Sequence, residues 1–248
     1  MAAILLFPAG LIFGSFVTVV AHRVPRGESV VGGRSHCPNC GAQIAAYDNV
    51  PVISWLVLRG RARCCGARIS PRYPLTELAS GILFAATALV FADDPAELAL
   101  GLVFVTMLVA VTLTDLERRI IPNKILLVAA ALGVALVAAT DPSSLPERAI
   151  AAAAAGGLLF LAALAYPRGM GLGDVKLAAV MGLFLGRDVA PAIFVALLAG
   201  SLVGLAMIAR HGAAARKRAI PFGPFLALGG IVGLLAGEQL VDWYLGTL

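Results

Sequence analysis

Eight apolar runs recur along this chain, and they leave it few ways to fold. A hydrocarbon core about 30 Å thick takes about 20 apolar residues per crossing helix. The runs fall at residues 2–21, 75–92, 96–113, 121–139, 149–166, 174–185, 189–208 and 222–244. The sixth is too short for a full crossing, so its helix is expected to begin inside the bilayer. The reading is an all-α, multi-pass membrane bundle of about eight transmembrane helices in contact with a lipid bilayer. Composition agrees, with 60% hydrophobic and 13% charged residues, against about 45–50% and about 25% in soluble domains. A soluble enzyme, a disordered tail, a coiled coil and a nucleic-acid-binding domain are excluded. The first run has no basic start and no small-residue cleavage site, so it reads as a retained helix and not a signal peptide.

The formal net charge of +5 reports orientation. Arg23, Arg26, Arg34, Arg59, Arg61, Arg63, Arg68 and Arg72 lie between the first two spans. Arg118, Arg119 and Lys124 follow the third, Arg168 and Lys176 the fifth, and Arg210, Arg216, Lys217 and Arg218 the seventh. Only Arg148 and Arg187 fall on the opposite side, where Asp93, Asp94, Asp141, Glu147 and Asp188 collect. Basic loops stay in the cytoplasm, so both termini are expected outside, with Trp243 and Tyr244 as an outer interfacial anchor. Gly156-Gly157 and Gly229-Gly230 read as places of close helix packing.

Three segments follow: a first membrane helix at residues 1–21, a small cytoplasmic insert at 22–73, and a membrane core at 74–248. The insert is too small for an apolar core of its own and holds all four cysteines. Cys37-Pro38-Asn39-Cys40 precedes Gly41, and Cys64-Cys65 precedes Gly66. Disulfides are disfavoured in the cytoplasm, so paired cysteines point to a structural zinc ion. The first pair is a sound half-site. The second is irregular, because neighbouring side chains usually point apart, and a turn ending at Gly66 would have to rotate both toward one ion. Reduced buried cysteines are the alternative, and His36 is a further candidate ligand.

Two acids do not belong to water-facing loops. Asp115 ends the run Val109-Ala110-Val111-Thr112-Leu113-Thr114, and Asp174 follows Gly171-Leu172-Gly173 at the start of the short helix. Taken singly, Asp115 is equally an interfacial helix end, and Asp174 an N-cap. Taken together, two acids on one membrane face suggest a polar cavity and a function. They suit an aspartic protease dyad, in which like charges at contact distance retain one shared proton. Gly171 and Gly173 would allow tight backbone approach.

With these residues the chain resembles the type IV prepilin leader peptidases, membrane aspartic proteases with a G-x-G-D motif. Gly14-Ser15-Phe16 through Arg23-Val24-Pro25-Arg26-Gly27 is similar to that family's opening motif. Tyr47-Asp48-Asn49-Val50-Pro51, Ser54-Trp55-Leu56 and Pro71-Arg72-Tyr73-Pro74 with Glu77 resemble its insert. Asp115 with Ile121-Pro122, and Gly171-Leu172-Gly173-Asp174-Val175-Lys176, resemble its two catalytic motifs, and Pro221-Phe222-Gly223-Pro224-Phe225 the motif before its last helix. Ala62 stands where the second C-x-x-C of the family begins, and Thr18 where its opening motif has Asn.

The resemblance implies an enzyme in a bacterial inner membrane that cuts the basic leader from prepilins or pseudopilins on the cytoplasmic side, with Asp115 and Asp174 as the catalytic pair. It also implies methylation of the new N-terminus from S-adenosylmethionine in many members. Two other classes stay open: a transporter or channel passing ions by the two aspartates, though matching halves are lacking, and a non-catalytic assembly factor of a pilus or secretion apparatus.

Overall fold

The computed structural model describes residues 1–30, 32, 35–166, 170–212 and 220–246. Arg34, Arg168, Arg216, Lys217 and Arg218 lie outside the described residues. The described chain is helical, and it divides into two compact units, residues 1–92 and 93–248.

The first unit pairs helix α1 (Ala2–Arg23) with helix α3 (Arg72–Val90), the insert between them carrying the short helix α2 (Ile53–Val57). The pairing is set by small residues. A Cβ on Gly10 would lie 2.6 Å from the Ser80 carbonyl oxygen, and one on Gly14 would lie 2.7 Å from the Glu77 Cα. Gly81 answers from α3, where a Cβ would meet Leu11 at 2.8 Å. Gly10 and Gly14 thus form a G-x-x-x-G seam, the spacing that brings two backbones together where lipid supplies no hydrophobic drive.

The second unit contains α4 (Pro95–Arg118), α5 (Asn123–Thr140), α6 (Leu145–Ala165), α7 (Leu172–Leu185), α8 (Val189–His211) and α9 (Gly223–Gly246). Helix α4 starts on Asp94, whose carboxylate accepts from the Ala96 and Glu97 N–H groups at 2.9 and 3.0 Å, and Pro95 costs nothing at this first position. Among the described residues, seven apolar stretches are long enough to cross a membrane, one of them the 40 residues Leu172–His211. At 1.5 Å per residue such a stretch would span about 60 Å, twice the hydrocarbon core. It is broken by a tight turn at Gly186–Asp188, where Gly186 has φ +55°, into α7 and α8. Among the described residues the membrane helices are therefore eight, α1 and α3 in the first unit and α4 to α9 in the second.

Helix α7 has 14 residues, a length of about 21 Å, too short to span alone. Beyond Lys176 it is apolar on all sides, and it occupies the interior of its unit, touching α4, α5, α6, α8 and α9. Leu177, Ala178 and Met181 are completely buried, alongside Phe104, Leu108 and Val111 of α4 and Leu226 of α9. A helix apolar all round belongs inside a bundle. Its far end is closed by Arg148 of α6, which donates to the Phe184 carbonyl at 2.5 Å and pairs with Glu97 of α4. Large apolar side chains such as Leu127, Leu161, Phe194 and Leu205 lie on the outside. On a multi-pass bundle that surface faces lipid, so this is an integral membrane protein.

Of the glycine pairs of the sequence, Gly229-Gly230 packs closely at both members, Gly229 against the Ala192 backbone of α8, whereas Gly156-Gly157 separates. A Cβ on Gly156 would meet the Ala179 Cβ at 2.9 Å, and Gly230 faces Leu108 at 3.0 Å, whereas Gly157 has nothing within 4 Å. The tightest helix contact within α6–α7 is instead at Gly182, where a Cβ would lie 2.5 Å from the Ala151 carbonyl oxygen and the Ala152 nitrogen. Gly182→Ala should therefore force α6 and α7 apart and cost about 1–3 kcal/mol, read as a lower melting temperature in detergent. The same change at Gly157 should be neutral or slightly stabilising, since it removes only glycine's backbone freedom; equal melting shifts for the two would contradict this packing.

Candidate active site and cysteine cluster

Asp115 sits in the last turn of α4, where the negative end of its own helix opposes a carboxylate. The opposition is met from elsewhere. The Gly223 N–H, at the first residue of α9, donates to Asp115 Oδ2 at 2.9 Å. The N-terminus of a helix offers free N–H groups and a favourable dipole to an anion. Only glycine fits, since a Cβ on residue 223 would lie 2.7 Å from that same oxygen. Pro224 follows in the first turn, where its missing N–H is no loss. Asp115 is 5% exposed.

Asp174 is the third residue of α7 and is 9% exposed. Its Oδ2 accepts from the Gly171 N–H at 3.1 Å, and its own N–H returns to the Gly171 carbonyl at 3.1 Å. Asp174 thus closes the glycine turn on itself, with its carboxylate at the positive end of α7. Gly173 lies against Ile121, which a Cβ would meet at 3.1 Å, so the turn seats on the α4–α5 connection. Lys176 Nζ donates to Asn123 Oδ1 at 3.1 Å and ties α7 to the start of α5. The two acids thus stand at the adjoining ends of α4 and α7, which pack against each other.

The structure therefore brings Asp115, Asp174, Gly171 and Gly173 into one place, with Lys176 holding a neighbouring helix. Each carboxylate is steadied on one oxygen by a backbone N–H, which leaves the other oxygen for a partner. The role of Gly223 and of the Lys176–Asn123 contact was not read from the sequence. A Phe-Gly-Pro turn opening a helix was the available signal for the first, since glycine before proline marks a tight approach at a helix start. The second joins residues 53 positions apart and leaves no local pattern.

In the first unit the two cysteine turns have matching backbones. The Gly41 N–H donates to the Cys37 carbonyl at 2.9 Å, and the Gly66 N–H to the Ala62 carbonyl at 2.8 Å. The Cys37 N–H then reaches the Ala42 carbonyl and the Ala62 N–H the Ala67 carbonyl, both at 2.8 Å. Gly41 and Gly66 share φ +70°. By this correspondence Cys65 matches Cys40, and Ala62 matches Cys37. The missing thiol at Ala62 is replaced by Cys64, one residue before Cys65. All four Sγ atoms lie within 4.8 Å of one another, with Cys37–Cys65 at 3.6 Å and Cys40–Cys64 at 3.3 Å. His36 is exposed and stands outside this group.

Zn–S bonds of about 2.3 Å put tetrahedral sulfurs about 3.8 Å apart, so the cluster fits such an ion. Backbone N–H groups of Cys40 and Asn39 lower the Cys37 thiol to about 6, which favours the thiolate a metal needs. Arg63 fixes the second turn by a two-pronged bond to Asp48 at 2.9–3.1 Å.

Comparison with known proteins bears on both units. Residues 9–91 match the Bacterial Peptidase A24 N-terminal domain, and residues 102–209 match the Type IV leader peptidase family. A Bacillus subtilis (strain 168) protein named Prepilin leader peptidase/N-methyltransferase is 37% identical over 97% of this chain and 97% of its own length. A protein of the same name from Aeromonas hydrophila is 35% identical over 97% of this chain and 93% of its own. One from Myxococcus xanthus (strain DK1622) is 37% identical over 86% and 65%. No solved structure matches the chain significantly. With identity at this level across both units, the chain belongs to the type IV prepilin leader peptidase family.

Proposed function

We propose that this protein is a membrane aspartic endopeptidase that removes the N-terminal leader from type IV prepilins or pseudopilins, with Asp115 and Asp174 as its catalytic pair. The observation that carries the reading is the pair itself: two buried carboxyls at the adjoining ends of α4 and α7, each held by a helix-terminal N–H. One carboxylate takes a proton from water, whose oxygen attacks the scissile carbonyl carbon. The other, protonated, donates to the carbonyl oxygen and stabilises the tetrahedral intermediate. Collapse breaks the C–N bond as the first aspartate returns its proton to the leaving amine. Glycine at 171, 173 and 223 keeps side chains out of the space around both groups.

The basic loops adjoin both aspartates in sequence, which supports a site at the cytoplasmic face of a bacterial inner membrane. There a basic leader would stay in water while the substrate's apolar segment enters the bilayer. A transporter reading has less support, because both acids are anchored at helix ends by backbone N–H groups.

We also read the four cysteines as ligands of one structural zinc ion that staples the insert. The relatives' names pair the peptidase with an N-methyltransferase, and we extend that activity here, with S-adenosylmethionine as methyl donor. The first unit has an open cleft of about 1070 Å³ among α1, α3 and the insert, at the upper end of small-ligand sites, about 300–1,000 Å³.

Asp115→Asn or Asp174→Asn should each lower leader removal by about 10²–10⁴-fold or more with protein levels unchanged. Mass spectrometry of the N-terminus of a co-expressed prepilin reads this, and substantial processing by either variant would sink the pair. Purified protein should contain about one zinc equivalent. Cys37→Ser with Cys40→Ser should remove it, Cys64→Ser and Cys65→Ser should each reduce it, and Ala62→Cys should restore zinc to Cys64→Ser. Metal-free wild-type protein that remains folded and fully active would overturn the zinc reading.

A further inference from the structure

The cleft of the first unit contains a carboxyl that the peptidase chemistry does not use. Glu77 lines it from α3 and is 7% exposed. Its Oε2 accepts from the Val52 N–H at 2.7 Å. That partner is neutral. Asp48, another acid on the wall, is already matched by Arg63 at 2.9 Å, but among the described residues no Lys, Arg or His pairs with Glu77. A buried carboxylate without a cation is costly, and in a membrane segment it is a functional feature by default.

The donor facing Glu77 is unusual in its own right. Val52 has φ +61° and ψ −50°, a conformation that a β-branched residue rarely adopts. The surrounding hydrogen bonds keep it there: the Ser54 hydroxyl accepts from the Val50 N–H at 3.0 Å and donates to the Tyr47 carbonyl at 2.9 Å. Strain of this kind persists where a binding site requires it. Here it aims an N–H at one carboxylate oxygen and leaves capacity on the other.

We propose that Glu77 is the counter-ion for a primary ammonium group, and that this cleft receives the free N-terminal amine of the leaderless substrate for methylation. The proposal rests on the methyl-transfer reading above. Glu77 would hold the ammonium, take its proton and release that proton to water through the open side of the cleft. The nitrogen lone pair then forms a bond to the methyl carbon of the sulfonium donor as the carbon–sulfur bond breaks. The electrons of that bond remain on sulfur as a neutral thioether, and the positive charge ends on the methylated amine.

The test is binding of a synthetic peptide with the mature pilin N-terminus to the purified full-length protein in detergent. The peptide is supplied with a free amine and, separately, N-acetylated. Wild-type protein should bind the free amine at least about tenfold more tightly. Glu77→Gln should bind both forms alike, lose methylation, keep leader cleavage, and bind S-adenosylhomocysteine within about twofold of wild type. Glu77→Asp should recover part of the preference, which a merely structural tie to Val52 would not produce. Equal wild-type binding of the two peptides, a comparison that needs no variant, would overturn the proposal, as would a preference that survives Glu77→Gln. Loss of S-adenosylhomocysteine binding with the amine preference intact would also overturn it, by assigning the carboxylate to the donor. An amine preference in a wild-type protein that transfers no methyl group would instead remove the methyl-transfer reading and leave the ammonium site standing.

Discussion

The hydrogen bond from the Gly223 N–H to Asp115 is the contact on which the second unit turns. A carboxyl at the end of a membrane helix cannot rely on bulk water, and its own helix repels its charge. Supplying the missing donor from another helix fixes where α9 must begin relative to α4, and the 2.7 Å clearance at residue 223 admits no side chain there. Asp174 is managed by the same physics with a different origin, since its donor comes from the Gly171 turn that starts its own helix. Two helix N-termini therefore meet two acids. The apolar α7 can be short because the rest of the bundle surrounds it, and that shortness puts its charged first turn beside the end of α4.

The first unit solves a different problem. Its insert has too little apolar surface to fold alone, and three polar devices hold it: the matched cysteine turns, the Arg63–Asp48 pair and the Val52–Glu77 bond to α3. The helices beneath it are drawn together by the Gly10–Gly14 seam, which leaves α3 placed to reach the insert with Glu77. The division between units falls after α3. The two units thus contain separate buried carboxyls, one pair suited to hydrolysis and one single group suited to binding a cation.

Much of this was readable from residue order. Apolar run length identifies the membrane helices, because the bilayer imposes a length that no other environment does. Asp115 and Asp174 stand out because acids there need a reason. The pairing of Cys64 with Cys65 was legible only as a question. Adjacent side chains diverge in an extended strand, and the turn closed by Gly66 at φ +70° is what turns both inward. Other features were out of reach. Gly182 looks no different from Gly157 in sequence, yet one touches backbone and the other nothing. Which glycine meets a neighbour depends on helix rotation, which tertiary packing decides. The positive φ of Val52 contradicts its side chain's local preference, so only the surrounding contacts reveal it.

In the function proposed above, Asp115 and Asp174 act as one unit sharing a proton. The most direct test is the pH dependence of kcat/KM for the purified protein cleaving a synthetic prepilin peptide. A pair that needs one ionised and one protonated member must lose activity in both directions, giving a bell whose two limbs belong to the pair and not to either residue. Activity that falls on only one side between mildly acidic and mildly alkaline pH, in protein shown to stay folded throughout, would contradict the shared proton and with it the catalytic assignment.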